Sequence, residues 1–372
     1  EPECDVLLAG VVFCDIVFTG LPRPPEPGVE VWTAGMGSSP GGIANLAVAC
    51  ARLGLATSLA AVFSDDGYGQ WCWDILARQE DVDLTHSRVA PQWHSPVTVS
   101  LAYGGDRALV THAHAPPVAE ADLLTGANGA RAIVGTLDPG SPRPWWTRFA
   151  RCGAWLFADV GWDPSGQWDR GVLDRLGDCY CFTPNVTEAM AYTRTDTAAD
   201  AARALGQYVP LAVVTRGQDG VTAFDAVRGE LVEVAGMSVA AIDPTGAGDV
   251  FTAALIAATL GEWPLRAGLR FATLAAALSV QQFGGALAAP GWGDIDDWWR
   301  GVKSRAAAGD ALAARYAMDY AFLADVLPTG HAPVVRRAEA TIARLSDVND
   351  IVRHTKTSST AKKEERKKKR YP

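Results

Sequence analysis

From residue 131 onward the chain repeats one pattern: a short apolar run, a longer helical stretch, then another apolar run. The runs fall at 132–135, 154–159, 180–183 and 211–215, each about 20–30 residues from the next. Parallel neighbours need a crossover of that length, so the spacing predicts βαβ units and a mostly parallel sheet in an α/β fold. Upstream, Val6–Val12 reads as a buried strand, 42–53 as a helix stopped by Gly54, and Leu59–Phe63 as a second strand followed by a helix through Arg78. The arms 97–103 and 108–112 flank Gly104-Gly105-Asp106-Arg107 and read as a hairpin. A meander is expected at 220–226 and 230–235, helices at 250–260 and 266–283, and a Pro-, Gly- and Trp-rich loop at 286–300. Residues 302–346 are helical in pattern, broken at Pro328.

Charge divides the chain in two. Residues 351–372 carry nine Lys and Arg against two Glu, while the preceding 350 residues carry 24 against 40 acids, a net of −16. So acidic a body argues against nucleic acid as the main partner. The tail reads as a basic disordered arm. No stretch is long and apolar enough to span a membrane, and the acidic Glu1-Pro2-Glu3 start lacks the basic opening of a signal peptide. Seven cysteines without CxxC spacing fit a reduced, cytoplasmic setting. On a strand, Cys179 and Cys181 would share a face.

Four segments carry the candidate chemistry. In Asp243-Pro244-Thr245-Gly246-Ala247-Gly248-Asp249, a Gly-Ala-Gly turn opens directly into an apolar helix. Unpaired backbone N–H groups at the positive end of a helix dipole make a phosphate cradle, and small residues let the anion approach closely. Asp249 in the first turn can accept a proton from a hydroxyl attacking that phosphate. The same heptapeptide also reads as a tight turn followed by a helix-start acid. In Gly35–Gly42, Pro40 spoils a dinucleotide fingerprint. The Gly41-Gly42 pair instead lets a polyol lie against the backbone, with Asn45 offering a donor and an acceptor. Asp15 follows the first strand, where α/β ligands bind. Thr183-Pro184-Asn185-Val186-Thr187-Glu188 reads as a capping box that is also compatible with hydrated Mg²⁺. Val213–Gly220 ends a strand in Gly turns, a plausible nucleotide rim. Gly-Lys never occurs, which excludes a P-loop, and no HExxH or zinc spacing is present, while Gly37-Ser38-Ser39-Pro40-Gly41 has no apolar strand leading straight into it. His112 and His114 read as surface residues.

In this order, the segments resemble the ribokinase-like (PfkB) family of carbohydrate and nucleoside kinases over about residues 5–300, with 301–350 as a helical extension and 351–372 as the tail. The resemblance implies a three-layer α/β/α fold with a small β-sheet lid drawn from about 13–34 and 95–113. It implies ATP and Mg²⁺, with Asp249 as base and Gly246, Ala247 and Gly248 as anion hole. Asp15, Gly41, Gly42 and Asn45 would meet the substrate hydroxyls, and Arg107 is a further candidate from the lid. Asn185, Glu188, Thr215, Gly217 and Thr245 would serve Mg²⁺–ATP, Glu188 through water. Asp243 and the loop 286–290 match the place where many members bind a monovalent cation such as K⁺. A homodimer through the lid is also implied. Several hexose-type relatives have an Arg where this chain has Asp163, so a basic anchor for a substrate anion is missing there. A neutral sugar is therefore expected as acceptor, with a nucleoside as the alternative and Trp32, His112 or Trp162 as stacking partners. A third alternative is a non-catalytic regulator that binds a sugar or nucleotide.

Overall fold

The structure, a computed structural model, describes residues 2–103, 106–137, 145–161, 163, 165–282 and 284–329. The Gly104-Gly105 turn, Trp162, the distal part of the helical extension and the basic tail lie outside the described residues. The strands are β1 (Cys4–Ala9), β2 (Val12–Thr19), β3 (Gly35–Gly42), β4 (Thr57–Ala60), β5 (Val62–Ser64), β6 (Arg88–Ala90) and β7 (Val97–Tyr103). They continue as β8 (Asp106–His112), β9 (Ala130–Leu137), β10 (Trp155–Val160), β11 (Cys181–Phe182), β12 (Leu211–Thr215), β13 (Val221–Asp225) and β14 (Glu230–Val234).

Eight of these form the central sheet in the order β14-β13-β12-β11-β10-β9-β1-β4. Pairing is parallel from β4 to β12 and antiparallel from β12 through β14. Side-chain alternation along each buried strand divides the interior into two cores. Val6 and Leu8 of β1, Phe157 of β10 and Val213 of β12 pack with the helices Ile43–Arg52, Ala247–Leu260 and Leu265–Ser279. Leu7, Leu156, Ala212 and Val214 point to the other side, onto Val186–Thr193 and Ala198–Leu205. Helices thus cover both faces, which is why these strands read as unbroken apolar runs. The architecture is the expected three-layer α/β/α fold.

A second sheet, β3-β2-β7-β8, stands apart as the lid. Its composition differs from expectation. Residues 20–34 form no strand, whereas Gly35–Gly42, which the sequence did not mark as a strand, is a full strand antiparallel to β2. Strand propensity disfavours Gly-Met-Gly-Ser-Ser-Pro-Gly-Gly. The segment is an edge strand, however, where a proline without an N–H is tolerated.

Two further expectations are corrected. The stretch 286–300, read as a loop, is a short 3₁₀ turn followed by the helix Trp292–Ala307, which begins where the Asp294 carboxylate accepts the Gly291 N–H at 3.0 Å. Cys179 and Cys181 do not share a face, because β11 begins only at Cys181. Cys181 joins one core and Cys179 the other. After Ala307 come the helices Ala311–Asp319 and Leu323–Val326. Among the described residues, no helix is long and apolar enough to cross a membrane.

Candidate active site

The turn at Gly246 leads directly into a helix, as the sequence predicts. Gly246 adopts φ 76°, a left-handed conformation that favours glycine, and N-caps the helix Ala247–Leu260. A Cβ on Gly246 would lie 3.2 Å from the Asn45 carboxamide carbon, so the turn presses closely on Asn45. Gly248 differs, because a Cβ there would meet no atom within 4 Å. That open space belongs to a cavity of about 720 Å³ whose walls include Thr215, Gly217, Met237, Ala247, Gly248 and Ala277. Ala247 and Gly248, which open the helix, therefore line a cavity large enough for a nucleotide, the Ala247 N–H itself donating to Pro244 O at 3.3 Å.

Asp249 sits one residue further into the helix. Its Oδ2 accepts a hydrogen bond from Asn45 Nδ2 at 3.0 Å, joining positions 204 residues apart. The Asn45 carbonyl oxygen is buried and has no hydrogen-bond partner among the described residues. Burial raises the Asp249 pKa from its ordinary value to about 6, while the bond from Asn45 and the Arg107 charge hold it down. Asp15 is pushed to about 7, first by burial and then by repulsion from Asp243 and Asp249, against Arg107 and Thr98. The strand pairing Asp15–Thr98–Thr111 and Ala102–Arg107 puts Arg107 on the same lid face as Asp15. Gly41 lies on that face too. A Cβ there would fall 1.9 Å from Asp15 Oδ2, so only glycine leaves room for the carboxylate. Gly42 is at φ 62°, turning the chain from β3 into the helix Ile43–Arg52.

Asp243 serves as a clamp. Its Oδ1 accepts from the Thr245 N–H (2.9 Å) and hydroxyl (2.6 Å), and its Oδ2 from the Gly284 N–H (3.3 Å). The Thr245 hydroxyl is thus committed to Asp243. Asn185 and Glu188 form the full capping box, with Asn185 Oδ1 accepting from the Glu188 N–H and Glu188 Oε2 from the Asn185 N–H. A bridge between Asn185 and Thr215 sets this cap beside the β12 end of the cavity. Among the described residues, no group of three or more His, Cys, Asp or Glu is arranged to hold a metal ion. Asp163 accepts from the Ser165 N–H and hydroxyl and from the Trp168 N–H, so it caps a turn.

Sequence reading gave no role to Asp159 or Arg52. Asp159 lies next to last in β10, and burial together with the charges of Asp249 and Glu188 raises its pKa well above the ordinary value. Arg52 is buried in a two-bond ion pair with Glu80, Nε to Oε2 at 2.8 Å and Nη2 to Oε1 at 2.9 Å. Its Nη1 also donates to Leu287 O and Ala289 O. The loop so held begins with Gly285, where a Cβ would lie 2.9 Å from Asn45 Oδ1.

A first-turn carboxylate tied to an asparagine, beside a cavity at the C-terminal edge of a parallel sheet, is an arrangement suited to phosphoryl transfer to a hydroxyl. The chain belongs to the pfkB family of carbohydrate kinases. The family model, described as pfkB family carbohydrate kinase, matches residues 23–291. Such enzymes are phosphotransferases acting on a hydroxyl group. The chain is 33% identical over 274 residues to a fructokinase of Klebsiella pneumoniae, covering 67% of this chain and 85% of that one. It is 27% identical over 272 residues to a ribokinase of Haemophilus influenzae, covering 65% and 80%. Among solved structures, Arabidopsis thaliana ribokinase complexed with ribose and ATP aligns with a TM-score of 0.62 at 21% identity, covering 77% of this chain and 96% of that one. Ribokinase from Cryptococcus neoformans in complex with ADP aligns at 0.65 and 19%, covering 79% and 99%.

The Gly248 geometry makes a prediction that separates folding from binding. Gly248→Ala should leave the melting temperature unchanged or slightly raised, since Ala is favoured over Gly in a helix by up to about 1 kcal/mol. MgADP affinity should fall, because the methyl group enters the anion space. Calorimetric titration alongside a melting curve checks this, and unaltered affinity would remove Gly248 from the anion hole.

Proposed function

We propose that the chain is an ATP-dependent kinase of a small neutral sugar, with Asp249 as general base and the N–H groups of Gly246, Ala247 and Gly248 as anion hole. The observation that carries this reading is the Asn45–Asp249 hydrogen bond beside a glycine turn open to the cavity. A sugar hydroxyl lying on Gly41 and Gly42 can donate to the orphaned Asn45 carbonyl oxygen or to Asp15. The hydroxyl to be phosphorylated gives its proton to Asp249, and its oxygen bonds to the γ-phosphorus as the bond to the ADP oxygen breaks. Arg107, close enough to act on both Asp15 and Asp249, offsets the negative charge gathered there. ATP supplies the phosphoryl group, and the open space over Gly248 is the place for its phosphates. Thr215 and Gly217 line the same cavity. Asn185 and Glu188 are read as orienting hydrated Mg²⁺ from beside it. The acidic surroundings of Asp15, Asp243 and Asp249 support a neutral acceptor over an anionic one.

For a monovalent cation at Asp243 the support is weaker, because both carboxylate oxygens already accept backbone or hydroxyl bonds. Turnover compared in Na⁺ and K⁺ decides that point. Self-association through the lid is supported by Val110, 63% exposed on its outer face, and by half-buried Ile16, Phe18, Val99 and Leu101 on the same side. Light scattering tests it, and a strictly monomeric species would refute it.

The function itself is tested by ATP-to-ADP turnover with Mg²⁺ over D-fructose, D-ribose, other neutral sugars and nucleosides. Turnover with a sugar is the expected result, and turnover confined to nucleosides would overturn the acceptor. A pH profile adds a second check. The base must be ionised, so kcat/KM should climb about tenfold per pH unit below about 6 and level off above 7, the span of the two coupled carboxylates. A profile flat from pH 5 to 8 would argue against Asp249.

A further inference from the structure

The family match ends at residue 291, yet the chain continues into helices that bond to elements forming the cavity walls. Two consecutive residues of this extension make the connection. Tyr320 is 3% exposed, and its hydroxyl donates to Met237 Sδ at 3.4 Å. Met237 lies with Ser238 and Val239 on one wall of the cavity. Its neighbour Asp319 holds Arg270, whose Nη1 donates to the Asp319 carbonyl oxygen at 2.9 Å while Nη2 pairs with the carboxylate. Arg270 belongs to the helix Leu265–Ser279, which supplies another wall through Thr273, Ala276 and Ala277, continued by its C-cap Val280. Positions 270, 273 and 277 are spaced i, i+3, i+7, so the anchored arginine and the wall share one helical stripe.

The grip is itself held firmly. The Tyr320 ring packs edge-on against Trp298 with centroids 5.0 Å apart, and Tyr316 and Phe322 lie at 6.1 Å. On the Arg270 helix, Phe271 is fully buried, stacked on Trp292 and edge-on to Trp263. Aromatic pairs of this kind resist displacement more than their buried area alone provides. Neither Tyr320 nor Asp319 lines the cavity, so both act through the residues that do.

We propose that residues 319 and 320 of the C-terminal extension are positioning residues for the nucleotide, fixing the Met237 wall and the Thr273–Val280 wall at the spacing that binds the phosphoryl donor. This inference rests on the kinase reading of the cavity. It concerns donor affinity and not acceptor binding or the chemical step.

The test titrates MgADP into the full chain by calorimetry, for the wild type, Tyr320→Phe, Tyr320→Ala, Asp319→Ala and Leu323→Ala. Leu323 is a fully buried residue of the same extension and controls for a general loss of stability. Tyr320→Phe removes the hydroxyl that holds Met237 and should weaken MgADP about threefold to tenfold. Tyr320→Ala and Asp319→Ala should weaken it further. Turnover assays should show a raised KM for ATP with kcat and the KM for the acceptor sugar unchanged. Leu323→Ala should lower the melting temperature and leave MgADP affinity as it was. Equal MgADP affinity in wild type and all the Tyr320 and Asp319 variants overturns the proposal alone. So does a loss in Leu323→Ala that matches Tyr320→Phe at the same drop in melting temperature. Absence of MgADP binding in the wild type would overturn the kinase reading as well.

Discussion

Asp249→Asn should lower kcat by about 10²–10⁴-fold, the usual contribution of a positioned general base, while MgADP affinity stays near that of the wild type. The amide keeps the shape of the carboxylate and can still accept from Asn45 Nδ2 through its oxygen. Only the proton acceptor is lost. Stability should move the other way. The folded-state pKa of Asp249 is raised to about 6 from the ordinary 3.8, so the native state binds the proton more tightly than the unfolded chain does. Stability from this group is fully present below about pH 4 and is lost as pH rises through about 6. At pH 8 the wild type carries the cost of the buried charge and the asparagine variant does not, so its melting temperature should be higher there. At pH 4 the gap should close. Full turnover in the variant would remove Asp249 from the mechanism.

Arg52→Ala should be the most destabilising single change away from the catalytic groups. Side-chain exposure is 7% for Arg52 and 5% for Glu80, so truncation leaves a buried carboxylate without its partner. Breaking such a pair costs about 3–5 kcal/mol. It also leaves Leu287 O and Ala289 O without the guanidinium donor. For a chain of this size that corresponds to a fall in melting temperature of about 4–7 °C. Arg52→Lys should recover only part of it, since an ammonium cannot reproduce the two parallel bonds and the two carbonyl contacts together. Adding Glu80→Gln to Arg52→Ala should restore some stability by removing the stranded charge. Scanning calorimetry measures all three, and a fall of 1 °C or less for Arg52→Ala would show that the buried pair contributes little.

The parts of the fold that were legible in sequence are those governed by local pattern. Strands such as Leu211–Thr215 are buried on both faces, so hydrophobicity alone marks them. The Gly246–Asp249 turn is legible because a helix N-terminus, two glycines and an acid carry their chemistry within four residues. The strand Gly35–Gly42 was not, because pairing with β2 overrides the propensity of four glycines and a proline. The helix at Trp292 was hidden by the same residue bias, since its start depends on one bond from Gly291 to Asp294. Asp159 and Arg52 were missed for a different reason. What matters about each is a neighbour far along the chain: Asp249 for the first, Leu287 and Ala289 for the second. No spacing rule connects such positions, because the sheet order and the return of the chain bring them together.

The helix Ile43–Arg52 carries Asn45 at one end, against Asp249, and Arg52 at the other, against the loop that packs back on Asn45. Seven positions separate the two side chains, about 10 Å of helix axis. Each residue turns the helix by about 100°, so one residue gained or lost between them would swing one of the two contacts away from its target. This short segment therefore cannot change length, although its apolar residues can be exchanged for others of similar volume. An insertion or deletion between Asn45 and Arg52 would cost the site or its support.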